Sequence, residues 1–546
     1  MAEALHNLPR GVVLSTPVTC LPQEILAYIF EVYLVGERNW APVFAPAQGP
    51  FCLAPVCRLW RAIAESDPKL WTSIHFYFPD TLQSREEDTL RIKPMFDLQL
   101  RRSGTLPISF TFIDYRISAS PLRSLITLLV DRLRTHSHRW KHISLRLSCE
   151  YFPQLFAFTP CDLSSLERFD ITGDWLQGVG VTVPSLILES ATNLKSFACG
   201  GREYSSEDEI NLRWDRLAEV SLEFAPSYRI SSASCPQFGY IAQCQNVTSC
   251  SLSIGRPFAL DAGDYQFITL PCLQTLRVRR LAPWSHVCTV IDRLILPQLQ
   301  TLEIGVAPFY DYKTWTTPWH DRNFSNLLAR SGSTLRDLLI RDVHFPNDEL
   351  IRCLARSPML NSLGFFPCPR SQDIAEVIRR LDISNVAAQG QTRTRARGEA
   401  QTGQREQKHR RGPLVPALCK IMLASSVGEN LDLMVRMFRS RLGARACGVG
   451  VASLRRVGVI YFYPPRDDVG FQGNRLGRAA RLRRELERLV FGNGNDMQRL
   501  RGMGDEERLE VASVVVDLSV TLSHVWTIRG GGTSRNSEEY YLPLFA

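Results

Sequence analysis

Leu273-Gln-Thr-Leu276-Arg-Val278 and, 26 residues further on, Leu299-Gln-Thr-Leu302-Glu-Ile304 are two copies of one pattern, apolar-x-x-apolar-x-apolar. Towards the N-terminus it recurs as Val247/Cys250/Leu252, Leu217/Val220/Leu222, Leu194/Phe197/Cys199, Leu166/Phe169/Ile171 and Trp140/Ile143/Leu145. Towards the C-terminus it returns as Leu335/Leu338/Ile340, Leu360/Leu363/Phe365, Leu418/Ile421/Leu423 and Leu454/Val457/Val459. From Trp140 onward the starts lie 26, 28, 23, 30, 26, 26, 36, 25, 58 and 36 residues apart, mostly within the period of repeat architectures. The last two apolar positions of each copy sit two residues apart and so point to one side of a strand, while the first anchors the turn entering it. One unit hides little surface alone, so the copies must stack. The expected fold class is α+β or α/β, a solenoid with a curved parallel sheet and helices or loops behind. Helical returns are expected over Arg322 to Leu328, Asn347 to Arg356 and Leu431 to Leu442. The uneven intervals make the solenoid degenerate and leave independent α/β units as the alternative.

Before the first copy, Ser73 to Phe78 reads as a strand, Leu90 to Leu100 as a helix stopping at Ser103-Gly104, Leu106 to Phe112 as a strand and Leu122 to Leu133 as a helix. Ahead of these, Leu21 to Trp71 carries a different pattern. Pro22 suits a first helical turn and Glu24 the positive end of a helix dipole. Ile25, Leu26, Ile29, Phe30 and Tyr33 then recur at helical spacing up to about Gly36. A second helix is expected after Pro50, carrying Leu53, Val56, Cys57, Trp60, Ile63 and Ala64, and a short turn at Asp67 to Trp71. Three helices of this size are near the lower limit for independent folding, so some of their apolar surface awaits a partner.

Leu21-Pro22-x-Glu24-Ile25-Leu26, then Val56-Cys57-Arg58-x-Trp60-Arg61-x-Ile63-Ala64, then Pro68-x-Leu70-Trp71 resemble an F-box, with its three blocks in order. The segment from Val35 to Phe51, with Pro42, Pro46 and Pro50, departs from the short form and reads as a loop. Arg101 to Pro107, His136 to Trp140 and Leu270-Pro271-x-Leu273-x-x-Leu276 further resemble fungal F-box proteins with leucine-rich-repeat-like C-terminal regions. The resemblance implies docking on a Skp-family adaptor and, through it, a cullin, in an SCF-type ubiquitin ligase. It assigns Leu21, Pro22, Ile25, Leu26, Ile29 and Trp60 as adaptor contacts or their immediate support. Positions between the strand leucines, such as Thr275, Arg277, Thr301 and Glu303, are expected to face a protein substrate. A second reading makes Leu21 to Trp71 only a cap on a non-catalytic repeat scaffold with no ubiquitination role.

These readings divide the chain into an N-terminal tail (1–18), the F-box (19–79), a leucine-rich-repeat-like region (80–386), an insertion (387–412), C-terminal repeats and cap (413–528) and a loose tail (529–546). Residues 387–412, rich in Gln, Arg, Thr and Gly, have too little apolar surface to offset the entropy of ordering and read as disordered. Lys408-His409-Arg410-Arg411 within it reads as a solvated loop, with a nuclear signal as the alternative. The net charge of +9 is concentrated: six Arg and one Lys against two Glu over 391–412, and six Arg against two Glu over 475–488. Neither stretch interleaves aromatics as a nucleic-acid stacking platform does, and a surface capping helix is expected at Arg475 to Leu489. Val511 to Trp526 alternates as a further strand.

With 45% hydrophobic and 22% charged residues the chain is ordinary folded material. No apolar run reaches membrane-spanning length, and Met1 to Cys20 lacks a signal-peptide core, so an intracellular protein, cytoplasmic or nuclear, is expected. The fifteen cysteines contain no Cys-x-x-Cys pair, and Cys199 and Cys250 occupy core positions of the repeat. No phosphate-binding glycine loop, His-Glu-x-x-His or Gly-x-Ser-x-Gly is present. His136, His138 and His142 lie among Arg134, Arg139 and Lys141, surroundings that disfavour a zinc site. No enzyme activity and no cofactor is therefore expected; a receptor subunit contributes proximity instead.

Overall fold

A computed structural model of the chain describes residues 21–36, 49–78, 86–114, 123–147, 163–172, 186–200, 210–224, 236–254, 267–280, 284–306, 323–332, 334–343, 345–367, 374–383, 414–426, 431–442, 456–462 and 515–516. The fold is α/β with a large parallel sheet, consistent with a solenoid-like arrangement. The chain divides into two compact units, the first comprising Met1–Leu339 with Asp348–Ser357, the second Ile340–Asn347 with Pro358–Ala546.

The first unit opens with helices α1 (Gln23–Gly36) and α2 (Arg58–Ser66) and a 3-10 turn at Pro68–Trp71. Their core gathers Leu26, Phe30, Leu53, Ile63, Ala64, Leu70 and Trp71. The second helix begins later than its apolar spacing predicts. Pro55 has no N–H to donate and disfavours a helical conformation at Ala54, so the chain turns until Cys57, whose Sγ caps α2 by accepting the Trp60 N–H at 3.4 Å.

From Trp71 the chain enters the sheet directly. Strands β1 (Ser73–Phe78), β2 (Ile108–Asp114), β3 (Trp140–Arg146), β4 (Arg168–Thr172), β5 (Ser196–Gly200), β6 (Glu219–Phe224), β7 (Ser249–Ile254), β8 (Thr275–Arg280) and β9 (Thr301–Val306) lie side by side in that order. Every pairing among them is parallel. The array thus begins two strands before the first copy read from the sequence. Trp71-x-x-Ile74-x-Phe76 already fits the pattern, and Ile74 and Phe76 align through Phe110 and Phe112 with Ile143 and Leu145.

Behind the sheet run α3 (Glu86–Arg102), α4 (Arg123–Arg134), α5 (Pro236–Gln243), α6 (Trp284–Asp292), α7 (Asn323–Ser331) and α8 (Asn347–Arg356). Helix α3 ends where expected, with Gly104 at φ 59 supplying the left-handed residue that such a terminus favours. The paired apolar residues of each strand, from Phe169 and Ile171 to Leu302 and Ile304, are buried, including Cys199 and Cys250.

The repeat carries a hydrogen-bond signature. The residue after each anchor donates its N–H to the equivalent carbonyl one repeat earlier: Glu167 to Lys141, Lys195 to Glu167, Ala218 to Lys195, Thr248 to Ala218, Gln274 to Thr248, Gln300 to Gln274 and Arg336 to Gln300, all at 2.7–2.9 Å. Three residues before each anchor from Leu166 to Leu299 lies another buried apolar residue whose carbonyl accepts the anchor's N–H, as Leu163 does for Leu166, Leu270 for Leu273 and Leu296 for Leu299. These two sets satisfy backbone groups that close packing removes from water.

Strand β10 (Asp337–Val343) runs from the first unit into the second. The second unit carries β11 (Ser362–Pro367), β12 (Lys420–Ser426), β13 (Arg456–Phe462) and β14 (Val515–Val516), again parallel, with helices α9 (Ala375–Leu381) and α10 (Leu431–Leu442). The last of these helices has the bounds its periodicity predicts. The expected insertion at 387–412, the basic helix at 475–489 and both tails lie outside the described residues.

Candidate functional site

Helix α1 is apolar on nearly all sides, and the structure splits what reads as one stripe into two. Leu26 and Phe30 are 0% and 1% exposed, and Phe30 meets Trp60 with ring centroids 4.7 Å apart. On the opposite side Ile25, Tyr28, Ile29 and Val32 are 47%, 63%, 43% and 53% exposed. Leu21 and Tyr33 extend this face along the helix, and Val56, also exposed, lies on the turn before α2. Pro22 is exposed, and its carbonyl starts the helix by accepting the Ile25 and Leu26 N–H groups, each at 3.1 Å. Of the six residues that the resemblance assigns to adaptor contact or its support, Leu21, Pro22, Ile25 and Ile29 are exposed. Leu26 is a core residue, clustered with Ile63, Leu70 and Trp71. Trp60 is half-buried against that core and backs Phe30.

The helical unit is held firmly to the repeats. Trp71 Nε1 donates to the Ala64 carbonyl at 2.6 Å, and Trp140 Nε1 donates to Leu133 at 3.0 Å, each reaching back seven residues to the helix before it. Arg102 of α3 lies 4.6 Å over the Trp71 ring and 3.1 Å from the Glu65 carboxylate. Gln99 donates to the Ser73 carbonyl at 2.8 Å.

The outer face of the first unit's sheet carries the other predicted residues. Thr275 and Arg277 stand in register beside Thr301 and Glu303, with Arg277 Nε 3.4 Å from Glu303 Oε2. Thr301 Oγ1 donates to Asp337 at 3.5 Å. The structure thus brings all four together. Sequence reasoning passed over their neighbours on the same face, although the same alternation predicts them. Arg168 reaches across β5 to Glu219 at 2.6 Å, and Ser196 donates to that carboxylate at 3.0 Å. Asp170 receives the Ser144 hydroxyl at 3.3 Å, but its other oxygen is buried without a partner, and burial pushes its carboxyl above the ordinary carboxylate range.

No protein-family model matches this chain. A comparison with curated proteins also found no match. The functional reading therefore rests on the residues themselves.

Among the described residues no group of three or more His, Cys, Asp or Glu could hold a metal ion. His142 Nε2 lies 3.6 Å from Glu167, and burial together with Lys141 lowers its pKa. The free thiols Cys244 and Cys250 are core groups: burial pushes Cys244 up to about 12 and Cys250 higher still, away from reactive thiolate chemistry. No described helix is long and apolar enough to cross a membrane.

Proposed function

We propose that the chain is the substrate-recognition subunit of an SCF-type ubiquitin ligase, with Leu21 to Trp71 an F-box and the parallel strands leucine-rich repeats. The observation that carries this is the outer face of α1. Four large apolar side chains, Ile25, Tyr28, Ile29 and Val32, stand about half exposed on a helix whose other side is already packed. Isolated exposed apolar residues need no explanation; a contiguous row on one helix face marks a docking surface. In this reading the face seats a Skp-family adaptor, which brings a cullin, and the sheet face holds a protein to be ubiquitinated. The chain supplies proximity and orientation, raising the local concentration of substrate lysines near a charged enzyme held by other subunits.

The scaffold reading, in which the helical unit only caps the repeats, accounts for the seat of Trp71 but leaves the outer face of α1 unused. Co-purification tests the choice. The tagged full-length chain is expected to retain adaptor and cullin, and a Leu21→Ala/Pro22→Ala/Trp60→Ala variant to lose both. A folded wild-type chain that retains neither would leave the scaffold reading in its place.

A further inference from the structure

The outer sheet face changes chemistry at β7. Cys250, Leu252 and Ile254 point into the core, so Ser249, Ser251 and Ser253 share the outer side. In register beside them stand Thr275, Arg277 and Arg279 of β8, and on the other flank Glu219, Ser221 and Glu223 of β6. Among the described residues, the hydroxyls of Ser221, Ser249, Ser251, Ser253 and Thr275 have no hydrogen-bond partner. Ser249 and Ser251 are half-buried, whereas Ser253 is 5% exposed.

The adjoining cations complete the block. Arg277 is half exposed and shares Glu303 at 3.4 Å, a pair of little energetic value that an incoming anion can replace. Arg279 is exposed and has no ion pair among the described residues. Its register neighbours are Ser253 and Gly305, so no bulky side chain stands directly beside it on either adjacent strand. Arg277 and Arg279 lie two residues apart on one strand, about 6.6–7 Å along its axis. Alternate side chains of an extended peptide repeat at the same distance.

We propose that this block binds an extended acidic segment of a partner protein, with carboxylates two residues apart meeting Arg277 and Arg279. The serine hydroxyls donate to the remaining carboxylate lone pairs, and the small floor lets the segment approach the sheet. The proposal rests on the reading of the sheet face as the substrate surface, and names the substrate chemistry that surface takes.

Fluorescence anisotropy on the full-length chain tests it, with a labelled peptide GSEVEVESG as probe. The chain is expected to bind this peptide at least about tenfold more tightly than GSQVQVQSG, the scale of a lost charge-assisted contact, and less tightly as salt rises. Arg279→Gln, a mild surface change, and Ser251→Trp, which fills the floor, each bring the probe down to the GSQVQVQSG level. Equal binding of the two peptides would overturn the proposal. So would full binding by Arg279→Gln, or binding confined to a peptide with phosphoserine in place of each Glu. Adaptor capture by the same preparation separates the two readings. Capture without acidic-peptide binding defeats only this inference, and acidic-peptide binding without capture defeats only the ligase reading.

Discussion

Trp71→Phe tests whether the end of the helical unit is the first turn of the repeat array. Trp71 is wholly buried, its indole N–H is bonded to the Ala64 carbonyl at 2.6 Å, and Trp140 makes the equivalent bond to Leu133 at 3.0 Å. Phenylalanine keeps most of the ring's contacts with Phe51 and Arg102 but leaves the Ala64 carbonyl unpaired. An orphaned buried acceptor costs about 1–3 kcal/mol. Hydrogen exchange read by mass spectrometry on peptides covering α2 and β1 reports that loss locally, as exchange about 5- to 150-fold faster. Trp140→Phe should deprotect α4 and β3 by a comparable factor. Trp71→Ala adds a cavity and raises the loss to about 3–5 kcal/mol. If Trp71→Phe left protection of α2 and β1 unchanged while Trp140→Phe deprotected its own repeat, the two tryptophans would not be equivalent and the argument would fail.

Two further perturbations probe buried polar groups. Burial raises the Asp170 carboxyl above its unfolded pKa, so ionisation weakens the fold: the penalty is absent below the unfolded value of about 3.9 and grows as pH rises towards the folded pKa. Asp170→Asn, which can still accept from Ser144, should therefore stabilise by about 1 kcal/mol at pH 7 and progressively less as pH falls to 4 in thermal melts, whereas an equal gain at both pH values would contradict the assignment. In the second unit Arg441 is fully buried, donating to the carbonyls of Leu381 at 2.8 Å, Val415 at 3.1 Å and Leu414. Burial lowers its pKa to about 10, leaving it charged at neutral pH, and it helps hold Val415 at φ 46, a conformation that β-branched residues resist. Arg441→Met leaves these carbonyls unpaired at about 1–3 kcal/mol each, and should be seen as loss of exchange protection over 374–383 and 414–426; unchanged protection would refute that role.

Much of the parallel sheet was legible because its signal is local and repeated. The two inward residues of each strand and the anchor before them lie within six positions, so the motif survives irregular intervals. Trp71/Ile74/Phe76 matched that motif but lay inside a stretch already assigned to another pattern, and the array was consequently started at Trp140. Helix α10 was legible in full because Met434, Met437 and Phe438 repeat with its turn. The division of α1 was not legible. Ile25, Leu26, Ile29 and Phe30 are apolar alike, and only the positions of Ile63, Leu70 and Trp71 decide that Leu26 and Phe30 turn inward. The start of α2 was misplaced because Leu53 and Val56 keep helical spacing across Pro55, a case where backbone chemistry outweighs side-chain periodicity. On the sheet face, alternation identifies which residues point outward, but which of them share a charge depends on register. Arg168 and Glu219 are 51 residues apart in sequence and bonded across an intervening strand.

Titration of the purified full-length chain with a Skp-family adaptor, in parallel with an Ile25→Lys/Ile29→Lys variant, tests the central claim most directly. Both residues are exposed, so the substitutions leave the core of the helical unit intact. Saturable binding by the wild type, weakened more than about thirtyfold in a variant of unchanged melting temperature, is the result this account predicts, since charge placed in the centre of a docking face costs 2 kcal/mol or more. Equal affinity of the two chains, or no binding by a folded wild type, would contradict the assignment of α1 as the adaptor-docking helix.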